Sequence, residues 1–180
     1  MNVIPTGFNG LFILEPKVLG DARGYFMESY NRQTLEQHGI NMVFVQDNQS
    51  SSRKGVLRGL HFQRAPYAQT KLVRTLSGTI LDVVVDLRAA EPTYGKSFSL
   101  ELSADNKRQF LVPKGFAHGF IVLSDTAEVF YKCDEYYNPS ADGGIHYASV
   151  DVDWKLPGSS FILSDKDKNL PHISKAEFRF

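Results

Sequence analysis

Short segments in which apolar and polar residues alternate recur along the chain and predict β-strands. In the clearest one, residues 81–88, aliphatic residues at the odd positions alternate with mostly polar residues at the even positions. A repeat of two residues is typical of a strand that buries one of its faces. Ser77-Gly78, just before this segment, predicts a hairpin turn. Further strands are predicted at 72–76, 98–102, 109–112, 119–123 and 127–133.

Helix signals are few in this chain. Asn31 is placed to cap a short helix that contains Leu35 and stops at Gly39, and a second short turn begins at Ser164. Turn residues at 91–92, 113–115 and 138–139 separate the strand-like segments. Many short strands divided by turns predict a mainly β fold, a β-sandwich or jelly roll with a few short helices.

Composition and charge limit the classes of function. The 180 residues contain no repeat or linker, which predicts one domain over residues 1–180. Lys plus Arg and Asp plus Glu number 20 each, so no overall field favours nucleic acid or an anionic membrane. Cys133 is the only cysteine, which suits a reducing compartment, and its apolar surroundings predict a buried thiol. With no signal peptide or membrane-length apolar stretch evident, we expect a cytoplasmic protein.

Two segments resemble the paired signatures of cupin barrels, in which histidines and a Glu bind a metal. In the first, His61 stands at one ligand position, but Gln63 replaces the second histidine and Lys71 replaces the Glu. The second keeps its histidine, His118, within Pro-Lys-Gly-Phe-Ala-His. A lysine ammonium has no lone pair for a metal, and a stable site usually has three or four ligands. The sequence therefore predicts neither a metal nor a cofactor.

His61 and Lys71 together suit the removal of a proton next to a carbonyl group. A neutral imidazole is a general base, and a neighbouring cation keeps it neutral near pH 7. The same cation stabilises the enolate oxygen as it forms. The alternative interpretation is a hydrogen-bonded core histidine beside an exposed strand lysine.

Three arginines are candidates for a diphosphate site. Arg23, Arg58 and Arg74 are available, and arginine makes forked hydrogen bonds to phosphate. The alternative is that they are separate, solvated surface charges.

A longer series of sequence blocks resembles the dTDP-4-dehydrorhamnose 3,5-epimerase family. The blocks follow in order from about residue 8 to residue 171, and the most specific are Asp-Ala-Arg-Gly-Tyr-Phe-Met-Glu, Gly-Val-Leu-Arg-Gly-Leu-His-Phe-Gln and Pro-Lys-Gly-Phe-Ala-His-Gly-Phe at 21–28, 55–63 and 113–120. Shorter blocks lie at 46–48, 71–74, 85–88, 131–132, 136–137 and 163–167. The resemblance implies a metal-free cupin homodimer that acts on dTDP-4-dehydro-6-deoxy-D-glucose in dTDP-L-rhamnose synthesis.

The resemblance also implies catalytic roles. His61 is the base that removes protons from C5 and C3, both next to the C4 ketone, and Asp167 orients its imidazole. Lys71 stabilises the enolate. Tyr131 returns a proton from the opposite face of the ring, and Tyr137 stacks on the thymine. Without the resemblance, Asp167 is better explained as part of a helix capping box, and Tyr131 as a packing residue.

Contacts with the substrate are implied along much of the chain, and the N-terminal ones reach across the dimer. They are Arg23, Phe26, Glu28, Gln46, Asp47, Asn48, Arg58, Lys71, His118, Tyr137, Asp142 and Lys166. Asp142 is the residue nearest to a position that is usually Glu in the family, and its side chain is shorter.

Three other functions remain possible from the sequence. An epimerase of another deoxysugar pathway could use the same base at one carbon only. A sugar-nucleotide-binding cupin would bind without proton exchange. A metal-dependent cupin oxygenase is the third, against which Lys71 argues.

Overall fold

The computed structural model describes residues 1–178 and 180, and strands dominate it. The strands are β1 (Asn2–Pro5), β2 (Phe12–Glu15), β3 (Val18–Asp21), β4 (Gly24–Met27), β5 (Gln46–Arg53), β6 (Leu57–Gln63), β7 (Lys71–Ser77), β8 (Thr79–Asp86), β9 (Ser97–Ser103), β10 (Gln109–Val112), β11 (Phe116–Val122), β12 (Thr126–Cys133) and β13 (Asp142–Gly144). The helices are α1 (Arg32–Gln37) and α2 (Asp165–Lys168), with single 3₁₀ turns at Tyr147–Ser149, Gly158–Ser160 and Ile173–Lys175. In this part of the chain no helix is long and apolar enough to span a membrane.

Two antiparallel sheets pack face to face and form a jelly-roll sandwich. The first sheet has the order β1-β2-β10-β7-β12-β5, and the second has the order β13-β6-β11-β8-β9. β3 and β4 form a separate N-terminal hairpin. The space between the sheets is filled by apolar residues of both, including Val73, Val84, Phe110, Phe120 and Val129. The predicted mainly β sandwich with few helices is therefore confirmed.

The outer faces of both sheets are also partly covered. The C-terminal segment packs Trp154, Phe161 and Phe178 onto the second sheet. Leu35 of α1 and Ile40 pack onto the first sheet, at its β2 and β10 side. The predicted cap of α1 is confirmed, since the side chain of Asn31 accepts a hydrogen bond from the Thr34 backbone N–H.

The predicted hairpin at Ser77-Gly78 is wrong. A turn is present there and Gly78 has a φ of +75°, but β7 belongs to the first sheet and β8 to the second. β8 pairs instead with β11 and β9. The turn therefore carries the chain from one layer of the sandwich to the other, a connection that local turn residues do not distinguish from a hairpin.

β8 is a strand as predicted, but it is not half-buried. Its odd positions face the C-terminal segment and its even positions face the first sheet, so both faces are enclosed. Asp82 and Asp86, expected on a solvated face, are fully buried. Asp86 accepts hydrogen bonds from Arg88 and Thr93. Buried carboxylates are costly without such partners.

Candidate active site

A cavity of about 660 Å³ lies between the two sheets and α2. Both sheets contribute to its wall, because β5, β7 and β12 belong to the first sheet and β6 and β11 to the second. Eight of the predicted site residues line it: Asn48, Arg58, His61, Lys71, His118, Tyr131, Lys166 and Asp167.

His61 and Asp167 form a hydrogen-bonded pair at the wall of the cavity. Nε2 of His61, on β6, lies 2.5 Å from Oδ1 of Asp167, on α2. The Asp167 side chain is 5% exposed and that of His61 is 30% exposed. Burial opposes ionisation of Asp167, but hydrogen bonds from His61, Ser164 and the Gly59 backbone outweigh it and hold the pKa of the carboxyl below its usual value.

One turn of helix positions this carboxylate. Ser164 is the N-cap of α2, and its hydroxyl accepts a hydrogen bond from the Asp167 backbone N–H at 3.1 Å. Half of the capping-box interpretation is therefore confirmed. In a full box the side chain at the position of Asp167 would bond back to the N-cap residue's backbone N–H, whereas this side chain turns to His61.

This contact determines which nitrogen of His61 is available for chemistry. An ionised carboxylate only accepts hydrogen bonds, so the proton of the neutral ring lies on Nε2 and the lone pair on Nδ1. Nδ1 has no hydrogen-bond partner within residues 1–178 and 180, and His61 lines the cavity. The site thus presents an imidazole lone pair to whatever fills it.

Lys71 and Tyr131 face His61 from the other sheet. They lie on the neighbouring strands β7 and β12, and the Lys71 ammonium is 5.9 Å from the Tyr131 ring centroid. Burial lowers the pKa of Lys71, and the charges of Cys133 and Asp82 partly oppose that shift. Burial raises the pKa of Tyr131, so its phenol stays protonated near neutral pH. The cavity therefore brings together an imidazole, a lysine side chain and a protonated phenol.

The former metal-ligand positions of the cupin signatures have other partners. His118 is the cross-strand neighbour of His61, and its Nε2 lies 2.9 Å from both carboxylate oxygens of Asp82. Gln63 donates to the backbone oxygens of Tyr67 and Tyr136. Its own oxygen accepts from a loop N–H. Within the described ranges no group of three or more His, Cys, Asp or Glu is arranged to hold a metal ion.

The three arginines proposed for a diphosphate do not converge within one chain. Arg58 lines the cavity and donates from Nε to the Ser52 hydroxyl at 3.0 Å. Arg74 lies over the Phe130 ring in a separate cavity of about 150 Å³. Residues 71 and 74 have opposite parity on β7, so their side chains leave opposite faces of the sheet. Arg74 therefore does not reach the site.

Four of the remaining predicted contacts border the cavity or lie behind its wall. Gln46 donates to Asn48 and accepts from the backbone N–H of Tyr137, whose ring is exposed. Asp142 forms an ion pair with Lys166. Asp47 has the opposite parity to Asn48 on β5, and it pairs with a lysine of β12 at 2.9 Å.

The N-terminal contacts lie apart from the cavity of their own chain. Arg23 forms an ion pair with Asp21 at 2.5 Å, and Phe26 is 70% exposed, both within the N-terminal hairpin. Glu28 follows the hairpin and accepts a hydrogen bond from Asn31. One chain therefore does not bring these three predicted contacts to His61.

Asp82 is a buried residue near the cavity that the sequence interpretation missed. The alternating pattern assigned it to a solvated face, whereas it lies behind His118. The sequence does contain a signal, because the other residues in 80–85 are all aliphatic and such a run is typical of a buried strand. An Asp within a buried strand is almost always paired, so a partner could have been expected.

Comparisons with a family model, with curated sequences and with solved structures all point to the same family. The family model for dTDP-4-dehydrorhamnose 3,5-epimerase matches residues 5–175. A Shigella flexneri dTDP-4-dehydrorhamnose 3,5-epimerase is 52% identical over 179 residues, which cover 99% of each chain. The crystal structure of the Elizabethkingia anophelis enzyme of that name is 49% identical and covers 97% of each chain, with a TM-score of 0.92. These likenesses confirm the predicted cupin-type jelly roll.

A structure with a bound sugar nucleotide is also similar. The Legionella pneumophila dTDP-6-deoxy-D-glucose-3,5-epimerase in complex with dTDP-4-keto-L-rhamnose is 46% identical, with a TM-score of 0.94. The match covers 99% of this chain and 98% of that chain.

Proposed function

The chain belongs to the dTDP-4-dehydrorhamnose 3,5-epimerase family, and we propose that it converts dTDP-4-dehydro-6-deoxy-D-glucose to dTDP-4-dehydro-L-rhamnose in dTDP-L-rhamnose biosynthesis, using its own side chains and no cofactor. The observation that carries this proposal is the His61–Asp167 pair, which shares one cavity with Lys71 and Tyr131. A base, a cation and a protonated phenol are the groups that epimerisation next to a ketone requires.

Proton removal begins at Nδ1 of His61. This nitrogen takes the proton from C5, and in a second round from C3, while the electron pair of the C–H bond moves toward the C4 ketone and forms an enolate. Asp167 stabilises the imidazolium through Nε2, as the carboxylate of a Ser-His-Asp triad does. Their 2.5 Å contact supports this role.

Lys71 carries the positive charge to the enolate oxygen. Its ammonium has no hydrogen-bond partner among the described residues, while burial in the cavity wall strengthens its field. The charges of Asp82 and Asp142 help to keep it protonated, against the effect of burial.

Tyr131 returns a proton on the other face of the sugar. It lies on β12 of the first sheet, whereas His61 lies on β6 of the second. A ring held between the sheets meets the base on one face and the phenol on the other, and protonation opposite to removal inverts the carbon. Exchange with solvent then restores both side chains.

The active assembly is a homodimer in this proposal. The chain that carries His61 also binds the nucleotide sugar through Gln46, Asn48, Arg58, His118, Tyr137, Asp142 and Lys166. Asp47 supports β5 beside these residues. Arg23, Phe26 and Glu28 come from the second copy. Support for the exchange comes from the N-terminal hairpin, whose apolar residues Val18, Leu19, Tyr25 and Phe26 are 42–70% exposed.

We also propose a cytoplasmic location, with which the buried, unpaired Cys133 thiol is consistent.

NMR in deuterated water tests the function directly. The protein is incubated with dTDP-4-dehydro-6-deoxy-D-glucose, and we expect deuterium at C5 and C3 together with the L-rhamno product. His61→Asn should lower both exchange rates at least 100-fold, because it removes the general base. His38→Asn, at the exposed C-cap position of α1, is the matched control and should keep the parent rates.

Three outcomes would contradict the proposal. Exchange and inversion at one carbon only would identify a mono-epimerase, and binding without exchange would identify a non-catalytic cupin. Full exchange in His61→Asn would remove His61 as the base.

A further inference from the structure

A second histidine–carboxylate pair lies beside the proposed catalytic one. His118 on β11 faces His61 across the β6–β11 ladder. Its Nε2 is 2.9 Å from both oxygens of Asp82, which comes from the next strand, β8. Asp82 is fully buried and the His118 side chain is 8% exposed. The two histidines of the site are thus each held through Nε2 by a buried carboxylate.

The contact with Asp82 leaves the other ring nitrogen of His118 open to the cavity. Every buried side-chain nitrogen or oxygen of the described residues has a hydrogen-bond partner. Nδ1 of His118 has no partner in the same part of the chain, and His118 lines the cavity. Nδ1 is therefore not sealed into the core. In a neutral ring with its proton on Nε2, Nδ1 is an acceptor.

We propose that Asp82 is a positioning residue that holds His118 in the Nε2-protonated tautomer, so that Nδ1 accepts a hydrogen bond from a hydroxyl group of the sugar. The identity of that hydroxyl rests on the proposed function, because the substrate supplies it. The tautomer belongs to the free protein and is measured without substrate. Through His118, Asp82 orients the sugar ring above the base at His61.

The charge of Asp82 depends on its neighbours. Burial raises the pKa of this carboxyl, and His118 and Lys71 oppose that shift. Asp82 in turn raises the pKa of Lys71. The hydrogen bonds of Asp82 go to His118, whereas no hydrogen bond or ion pair joins it to Lys71 among the described residues.

Asp86 offers a matched comparison on the same strand. It has the same parity on β8 as Asp82 and is equally buried, but its partners are Arg88 and Thr93, outside the cavity. Asp82→Asn and Asp86→Asn therefore each remove one buried carboxylate charge from β8, and only the first removes a contact with His118.

The first test is NMR of the free protein labelled with ¹⁵N-histidine. We expect the parent protein to show His118 with a protonated Nε2 and an unprotonated Nδ1. Asp82→Asn should shift the proton toward Nδ1, since the amide oxygen and nitrogen no longer require a donor at Nε2. Asp86→Asn should leave the His118 signals unchanged. A parent ring protonated at Nδ1 overturns the proposal, and this measurement does not depend on the folding of any variant or on epimerase activity.

The second test is a kinetic cycle with the dTDP-linked substrate. Asp82→Asn should lower kcat/KM by about 10- to 100-fold, the loss typical when a residue that orients a metal-binding histidine is changed. In a His118→Asn background the same change should cost less than 3-fold, because the residue through which Asp82 acts is gone. An equal loss in both backgrounds would show that Asp82 acts by another route and would overturn the proposal.

Discussion

His61 and Tyr131 approach the cavity from different sheets, and their separate positions allow proton removal and proton return to be measured apart. Tyr131→Phe keeps the ring but removes the phenol proton. We expect deuterium wash-in at C5 to persist, since His61 still removes and returns protons on its own face. Formation of the inverted product should fall at least 100-fold, the lower end of the range for a general acid. NMR analysis of product and recovered substrate measures both.

The matched control for this change is Tyr94→Phe, at a half-exposed position in the loop after β8. It should show the parent ratio of inversion to wash-in. A Tyr131→Phe protein that inverts C5 at the parent rate would exclude Tyr131 as the donor.

Asp167 links catalysis to acid stability. Its pKa is held below the usual value in the folded protein, so the carboxylate stabilises the fold above the unfolded-state pKa of about 3.9, and that contribution is lost as the pH falls through the folded pKa. At pH 6 we expect Asp167→Asn to lower the free energy of unfolding by about 1–3 kcal/mol. Denaturant unfolding from pH 6 to pH 2 should show this difference shrinking below about pH 4. A difference independent of pH would show that the charge contributes nothing.

Individual residues were predictable to the extent that they belong to a motif. His61, Lys71 and His118 stand at signature positions, and the structure brings them to one cavity. Arg74 was not distinguishable from Arg58, because a list of arginines does not say on which face of a strand each lies. The partner of His118 was hidden for a similar reason. Asp82 lies on the polar face of β8, which the alternation assigned to solvent but which faces the first sheet. The apolar face of β8 is covered instead by the C-terminal segment.

The shorter of the two α-helices, α2, positions the carboxylate of Asp167. α2 has four residues, and Ser164 caps it. Ser164→Ala should lower the free energy of unfolding by about 1 kcal/mol, the usual cost of losing an N-cap. Since Asp167 depends on this turn for its position, we also expect a fall in kcat/KM of several-fold.

The control for the capping prediction is Ser124→Ala, in a turn outside the cavity. Ser124 accepts a hydrogen bond from the Thr79 N–H and donates to the Thr126 oxygen. This variant should lose stability, measured by denaturant unfolding, without losing kcat/KM. If Ser164→Ala behaves in the same way, the cap does not position Asp167.

At the level of elements, periodicity identified β7 to β12 and missed β1 to β6 and β13, of which β5 is the most polar. β7, β9, β10, β11 and β12 were predicted within a few residues of their ends. β5 was not, because Gln46–Arg53 contains no aliphatic residue. It is nevertheless paired with β12 along its whole length, from Gln46 opposite Cys133 to Arg53 opposite Thr126. β5 is held by its backbone hydrogen bonds to the apolar strand β12. Its own side chains therefore face the cavity and the edge of the sheet.

For the whole molecule, the proposed exchange of N-terminal segments predicts complementation between two inactive variants. His61→Asn and Arg23→Ala should each be strongly impaired as homodimers. In a mixed dimer, one site combines an intact His61 with an intact Arg23 from the other chain. Random assortment should therefore restore about one quarter of the parent activity, because half of the dimers are mixed and each has one good site. Co-expression with two affinity tags and an activity assay measures this.

The matched control pairs His61→Asn with Lys71→Ala. Both residues line the cavity of the same chain, so no mixed dimer contains an intact site. Equal activity in the two mixtures would contradict the exchange, and sedimentation as a monomer would contradict the dimer itself.

The sequence predicted the fold class correctly but did not predict how the strands are connected. Many short strands and few helices indicated a sandwich, yet Ser77-Gly78 gave no sign that the chain changes sheets there. The same limit applies to Arg23 and Phe26. Their block resembles a substrate-binding segment, but within one chain they line a separate pocket on the N-terminal hairpin. No local pattern states that a second copy completes the site.

The two-sheet construction of the cavity has a consequence for how the sequence can change over time. His118 and Phe120 are successive inward residues of β11, as Lys71 and Val73 are of β7, so each row of cavity groups continues into the apolar filling between the sheets. That filling acts as a spacer which sets the gap, about 10 Å in stacked sheets, between base and proton donor. A larger or smaller side chain at Val84 would then alter turnover without touching the sugar. Selection for the reaction acts on the volume of the core as well as on the groups that carry the protons.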